Sequence, residues 1–398
     1  MYIEKLKLKN YRNYNEIEVN FDKNINIVYG NNAEGKTNLL ESIYMCSTSK
    51  SHKNSKESEI INFNEKEAHI KIFFKKESIK NKEIIIDIQL NKESKKGIAV
   101  NGVKVEKLSE FLGLFNVIMF APEDLNIIKD GPNIRRKFLD FEICQIDKLY
   151  VVALNNYNKT LNQRNALLKD INTTVLSNRK DLIDMIDTYD EKLVEYGCEV
   201  IEKRKQNISK LAALIKDIHY KISEQKETLI IDYENDIVGA NEKNIRSTQC
   251  EPSRSRELCE RQKIDELKKI YLQKLKETRD IDRKNQYTLV GPHRDDISFR
   301  IEDKDIRKFG SQGQKKTAAI SLKLSELEII KEKINDTPVL LLDDVFSELD
   351  ETRQKLLVTN LKNIQTIITC TGIKKNIFDL LNPDKIFQVK NNNIFIKK

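Results

Sequence analysis

From Tyr2 to Phe21 apolar and polar side chains alternate, with Ile3, Leu6 and Leu8 followed by Ile17, Val19 and Phe21. This is the period of two of strands with one wet face, and Asn10 to Asn15 is their predicted turn. A short apolar strand, Ile25 to Tyr29, runs into a loop over Gly30 to Thr37 and then into helical spacing at Leu39, Leu40, Ile43 and Tyr44. Alternation returns between Ala68 and Val105, in Ile70, Ile72 and Phe74 and in Ile84, Ile86, Ile88 and Leu90, with Asn101-Gly102 as a hairpin signal. These segments predict an antiparallel sheet.

Past about residue 148 the period becomes helical. Tyr150, Leu154, Tyr157, Leu161 and Leu168 form one stripe, and Ile201, Ile208, Leu211, Ile215, Ile218 and Ile222 another. A polar stretch from Gly239 to Ser255 reads as a loop, and a third stripe, Leu258 to Leu275, leads out of the region. After Tyr287 come strands, one long helix, an apolar run Val339 to Leu342 suited to a buried parallel strand, and a last strand near Thr366 to Thr369. The pattern predicts an α/β protein with mixed parallel and antiparallel sheets. Residues 1–147 and 281–398 form its main domain, and 148–280 a short helical second domain.

Composition narrows the class. The longest nearly uncharged stretch, Phe111 to Pro122, falls well short of the roughly 20 apolar residues of a membrane span. Met1 to Lys9 lacks the pattern of a secretory signal, so a cytoplasmic location is expected. Six scattered cysteines without a C-x-x-C pair suggest neither a disulfide framework nor a zinc site. The formal charge of +8 permits contact with a polyanion without requiring it.

The chemistry concentrates in three places. Gly30-Asn31-Asn32-Ala33-Glu34-Gly35-Lys36-Thr37 is a complete phosphate-binding loop between a strand and a helix. Its glycines let backbone N–H groups curl around the phosphates of ATP, Lys36 reaches the β- and γ-phosphates, and Thr37 offers a hydroxyl to Mg²⁺. Val339 to Asp344 is an apolar strand ending in two acids. Asp343 is placed for the Mg²⁺ shell, and Asp344 for orienting or deprotonating the attacking water, a role that a longer Glu more often fills. Ser311-Gln312-Gly313-Gln314 opens a long helix and makes a second anion site. One subunit does not need two, so the economical reading is that this loop contacts the γ-phosphate held by another copy.

That arrangement resembles the ABC-type ATPases, whose S-G-G-Q signature is similar to Ser311–Gln314 and whose D-loop is similar to Ser347-Glu348-Leu349-Asp350. The long separation of Lys36 from Asp343 is unlike a transporter subunit. More specifically the chain resembles the bacterial RecF family of SMC-like ATPases along essentially its whole length. The resemblance rests on Asn10-Tyr11-Arg12-Asn13-Tyr14, Gly30 to Ile43, Phe120 to Leu125, Gly131 to Asp140, Thr288 to Asp296, and Ser311 to Gln314. It implies an ABC-type head and adds Arg12 and Asn38 to the nucleotide-binding residues. It further implies a weak DNA-dependent ATPase that dimerises with ATP at single-strand gaps next to duplex. Such a protein acts with RecR and RecO to load RecA, in recombinational repair and replication at the nucleoid.

Several readings stay open at this level. Lys315-Lys316 follow the signature where the family usually has Gln-Arg, and Cys370 leaves either Thr369 or Thr371 as the switch residue near the γ-phosphate. Arg135-Arg136-Lys137 can grip DNA phosphates or form a salt-bridged helix face. His52 is either a structural hydrogen-bonder or a site residue; His293 to Asp296 is an ion cluster or a contact; Asp124 is a helix cap or part of a Q-loop. An ATP subunit of a transporter and a structural SMC-like tether are the alternatives. The first needs a much shorter spacing between phosphate loop and acid pair, and the second needs long coils or a C-x-x-C hook.

Overall fold

The computed structural model describes residues 1–53, 55–79, 82–173, 179–238, 256–372 and 375–398. The expected loop from Gly239 to Ser255 lies outside the described residues. Contacts divide the chain into two compact units, one made of 1–128, 214–228 and 311–398, the other of 129–213 and 229–310.

The first unit holds two six-stranded sheets. One is antiparallel and comprises β1 (Tyr2–Tyr11), β2 (Tyr14–Asn20), β4 (Glu67–Lys76), β5 (Lys82–Asn91), β6 (Gly97–Val100) and β7 (Val103–Lys104), in the order β2-β1-β4-β5-β6-β7. Its register aligns Leu6 with Ile72 and Ile86, and Leu8 with Ile70 and Ile88, so the alternating apolar positions form continuous buried rows. Each such side chain contributes roughly 1.5–3 kcal/mol on burial. At the tip joining β6 to β7, Asn101 (φ 50°) and Gly102 (φ 81°) take the paired left-handed conformations that a two-residue hairpin demands.

The second sheet comprises β3 (Ile25–Tyr29), β8 (Val117–Phe120), β12 (Val339–Asp343), β13 (Thr366–Cys370), β14 (Lys385–Lys390) and β15 (Asn393–Ile396), in the order β15-β14-β3-β13-β12-β8. All neighbours pair in parallel except β14 and β15. Every residue of β8, β12 and β13 is buried, which explains their unbroken apolar or threonine-rich runs. The helix Lys36–Thr48 lies against both sheets, touching β4 and β5 on one and β8, β12 and β13 on the other.

Gln365 joins the two sheets. It lies just before β13 and is 2% exposed. Its carbonyl accepts from Ile3 N at 2.6 Å, and its amide donates to Ile3 O at 2.7 Å and Asp22 O at 2.6 Å. One side chain thus satisfies backbone groups of the antiparallel sheet from an end of the parallel one.

The second unit contains the helices Pro132–Ile146, Lys148–Thr173 and Arg256–Asn285 and most of Arg179–Ile222, whose last turns belong to the first unit. It also contains a small antiparallel sheet, β11-β10-β9, from β9 (Leu229–Glu234), β10 (Asp296–Ile301) and β11 (Lys304–Asp305). The expected boundaries at 147/148 and 280/281 therefore differ from the observed division. Helix Pro132–Ile146 joins this unit because buried Arg135 forks onto Asp296 of β10 at 2.6 and 2.8 Å. β9 was hidden in a region of helical period because its partner strand lies more than sixty positions away.

The motif residues here are architectural in their contacts. Arg136 donates to Asp295 O at 2.6 Å, while Asp295 accepts from Tyr233 and from Asp236 N. His293 is hydrogen-bonded to Tyr157 at 2.6 Å, and burial depresses its imidazole to about 4. Arg164, fully buried, pairs with Asp190 at 2.6 Å and Asp282 at 2.8 Å. Among the described residues no helix is long and apolar enough to cross a membrane.

Replacing Gln365 by Ala would remove the side-chain partner of the buried Ile3 N–H and C=O, and one of the two donors to Asp22 O, which keeps Asn26. Gln365→Ala is expected to destabilise the protein by roughly 2–4 kcal/mol, read as a lower denaturant midpoint.

Candidate nucleotide-binding site

The Gly30–Thr37 loop leaves β3 and enters helix Lys36–Thr48 through Gly35, whose φ of 108° is open only to glycine at low cost. A Cβ on Gly35 would lie 2.5 Å from Asn13 Nδ2 and 2.9 Å from Tyr14 Oη. Those two side chains, at the turn between β1 and β2, clamp the loop. Asn13 donates to Glu34 O at 3.0 Å and accepts from Asn38 at 2.9 Å, and Tyr14 donates to Gly35 O at 3.0 Å. Lys36 is 8% exposed, and its ammonium donates to Gly30 O at 2.8 Å and Asn31 O at 2.7 Å. The charge is thereby held over the mouth of the loop, where the positive end of the helix also points.

The parallel sheet supplies the acids. Thr37 Oγ1 donates to Asp343 Oδ1 at 2.9 Å, joining residues 306 positions apart. Thr369 Oγ1, at the end of β13, donates to the same oxygen at 2.6 Å. Asp344 N donates to Thr369 O and Oγ1, each at 3.1 Å, and Asp344 takes the left-handed φ of 51° that turns the chain out of β12. Between the two threonines left open above, Thr369 is the one engaged with Asp343; the Thr371 side chain is exposed. The thiol of Cys370 lies in the fields of both Asp344 and Lys36, and burial pushes it up to about 12.

Arg12 reaches toward helix Lys36–Thr48 and the segment that follows it. It forks onto Glu41 at 2.9 and 2.8 Å and also donates to Ser55 Oγ and Glu59 O. Glu41 is fully buried on helix Lys36–Thr48, and the Arg12 and Ser51 bonds keep its carboxyl below the usual range despite the burial that opposes them. Arg12 thus ties the hairpin to the helix behind the loop. His52 packs edge-on against Tyr44, with neither ring nitrogen bonded to protein, and burial lowers its affinity for a proton.

Ser311 caps the helix Gln312–Ile334: its hydroxyl accepts from Gln314 N at 3.1 Å, while Ser311 N donates to Gln314 Oε1 at 2.8 Å. Behind it, Arg353 donates to Thr317 at 2.9 Å and pairs with Asp350 of the D-loop segment. Among the described residues no hydrogen bond joins Ser311–Gln314 to the Gly30–Thr37 loop; the two anion-binding elements are built separately. Asp124 caps its own turn, accepting from Ala121 N at 2.8 Å. Burial raises its carboxyl to about 6, against the pull of Lys323.

The donors suit ATP with Mg²⁺. A Cβ on Gly35 would run into Asn13 and Tyr14, so the turn that aims the loop at the helix start is kept for glycine. Among the described residues no three His, Cys, Asp or Glu side chains converge. An ion beside Thr37 would therefore rest on one carboxylate, one hydroxyl and ligand oxygens, a hard-oxygen set fit for Mg²⁺. Sequence motifs had identified the loop, the acid pair and the signature. They did not give the clamping roles of Asn13 and Tyr14 or the carboxylate of Glu41, because each depends on a partner brought near only by folding.

The sequence matches the RecF/RecN/SMC N-terminal domain family over residues 2–396. It is similar to the DNA replication and repair protein RecF of Lachnospira eligens, at 46% identity over 395 residues and 99% of each chain. A solved structure of the recombination mediator protein RecF with ATP, in the RecFOR pathway, superposes with a TM-score of 0.86 at 35% identity, covering 100% of this chain and 98% of that one. An SMC head bound to the C-terminal winged-helix domain of ScpA shares the fold, with a TM-score of 0.54 at 16% identity over 100% of this chain and 97% of that one.

Because its folded carboxyl titrates near 6 rather than near 3.8, Asp124 binds its proton more tightly in the folded state. Its charge therefore costs stability as pH rises through about 4 to 6, and the cost is fully present above. Asp124→Asn, which keeps an acceptor for Ala121 N, is expected to flatten that fall by up to about 2–3 kcal/mol. Denaturant unfolding of both proteins at pH 4.5 and 7.5 checks it.

Proposed function

The chain belongs to the RecF family, and on that premise we propose that it is an ATP-driven clamp of DNA replication and repair, closing as a dimer on DNA and reopening when ATP is hydrolysed. The observation that carries this reading is the Thr37–Asp343 hydrogen bond, which unites the phosphate loop and the acid strand in one site. In that site Lys36, now bonded to its loop carbonyls, would turn to phosphate oxygens, and Thr37 and Asp343, now bonded to each other, would hold Mg²⁺. Bound there, the ion would supply neutralisation of the charge that develops in phosphoryl transfer. Asp344 orients the attacking water. Its carboxylate is one methylene shorter than the Glu more common at such a position, which supports slow hydrolysis and a switch rather than a motor.

Ser311 and its capped helix present a second positive terminus that no nucleotide on the same loop requires. We assign it to the γ-phosphate bound by a second copy, so that two ATP molecules lie between two chains. DNA is then gripped through its phosphates without reading of base sequence, and binding falls steeply with salt. Gapped duplex is the preferred site, RecR and RecO are the partners, RecA loading is the outcome, and the location is the cytoplasm at the nucleoid. The RecFOR pathway named for the solved relative supports this placement.

Light scattering with no nucleotide, with ADP and with ATP-Mg²⁺, each with and without gapped DNA, tests the clamp. A dimer is expected with ATP alone, tightened by DNA; an unchanged mass would sink it. Lys36→Met is expected to lower ATP affinity by at least about tenfold and to abolish the dimer. Asp344→Asn should bind ATP, hydrolyse it at least about a hundredfold more slowly and accumulate as the dimer. Normal turnover by Asp344→Asn would remove that residue from its assigned role.

A further inference from the structure

The signature loop is fixed by a residue far from it in sequence. Gln314 Nε2 donates to Glu227 Oε1 at 2.8 Å, while the other end of the same amide accepts from Ser311 N at 2.8 Å. The two ends of a glutamine amide are nearly the same size, and its partners decide which end carries the oxygen. A carboxylate can only accept, so Glu227 forces the NH₂ end toward itself and the carbonyl toward the Ser311 N–H. A flipped amide would set donor against donor at Ser311.

Glu227 is itself held firmly. Its backbone N–H and C=O both bond the Ser223 hydroxyl, at 3.1 and 3.2 Å, in the turn that ends the helix Arg179–Ile222. Its second oxygen lies 3.5 Å from Nε2 of fully buried His219. The other ring nitrogen of His219 is 3.1 Å from Ser321 Oγ, on the signature helix. The segment 214–228 thus meets that helix at two levels, Gln314 and Ser321, both within the first unit.

We propose that Glu227 is a positioning residue for the nucleotide sandwich: by fixing the Gln314 amide it completes the Ser311 cap and sets the Ser311 hydroxyl and the helix terminus toward the phosphate of a second copy. This rests on the reading of Ser311–Gln314 as the element that meets that phosphate. It adds a residue in a region where no motif of the chain points.

Exchanging the pair separates positioning from capping. A Ser-x-x-Glu sequence is as good a capping box as Ser-x-x-Gln, so Gln314→Glu would leave a purely structural cap intact. It would nevertheless place two carboxylates face to face across 2.8 Å. Gln314→Glu and Glu227→Met are each expected to weaken ATP-dependent dimerisation by about tenfold. The double variant Glu227→Gln with Gln314→Glu, which restores one donor opposite one acceptor, should recover most of it. Dimer formation is followed by light scattering over a range of ATP-Mg²⁺ concentrations, with thermal melting to verify folding. No recovery in the double variant, or no effect of Glu227→Met, would overturn the assignment. Ser311→Arg in the same assay separates the two claims. If it leaves the dimer intact, the sandwich itself fails; if it abolishes the dimer while Glu227→Met is silent, only the role of Glu227 fails.

Discussion

Asp343 Oδ1 accepts from two hydroxyls, Thr37 at the start of one helix and Thr369 at the end of a neighbouring strand, and this junction fixes the geometry of the site. It exists because β3, β13 and β12 lie side by side in parallel, so that their carboxyl ends emerge on one edge. Ligands of open parallel sheets gather at such edges because helix N-termini and strand-end side chains converge there. Residues far apart in the chain become neighbours without any loop having to reach. The second unit can therefore occupy the middle of the sequence without disturbing the alignment of the site.

The same economy governs the polar groups that folding buries. Gln365 is buried between two sheets, where an apolar side chain would ordinarily sit, and its amide satisfies backbone groups that neither ladder can reach. In the second unit Arg164, Arg204 and Arg135 are buried, and each meets a carboxylate, fully buried for Arg164 and partly buried in Asp140 and Asp296 for the other two. Such pairs give little net stability compared with apolar packing, but each carboxylate has only a few guanidinium donors it can meet. The pairs thus specify which elements adjoin, as Arg135 and Asp296 do for helix Pro132–Ile146 and β10.

Much of this was legible in the sequence. The period of two located β1, β2 and the β4–β7 meander, and the apolar run at Val339 located β12. The loop Gly30–Thr37, the acids Asp343 and Asp344, and the Ser311 cap were each visible as local motifs. The unit boundary was not, since it depends on Arg135 finding Asp296 and on β9 finding β10, pairings across distances that local periodicity does not encode. Arg12 illustrates the remaining gap. Its place in the hairpin motif was evident, yet only the fold reveals that the buried Glu41 carboxylate holds it.

Cys370 ends β13, and its carbonyl accepts from Gly30 N at 3.3 Å where the phosphate loop begins. Its thiol is buried, raised to about 12, and so remains protonated at neutral pH. Peroxide attacks the thiolate and not the thiol. Cys46 on the following helix is likewise buried and raised, and Cys198 is raised to about 12. The sulfur atom beside the phosphate loop is therefore held as the less reactive thiol at neutral pH.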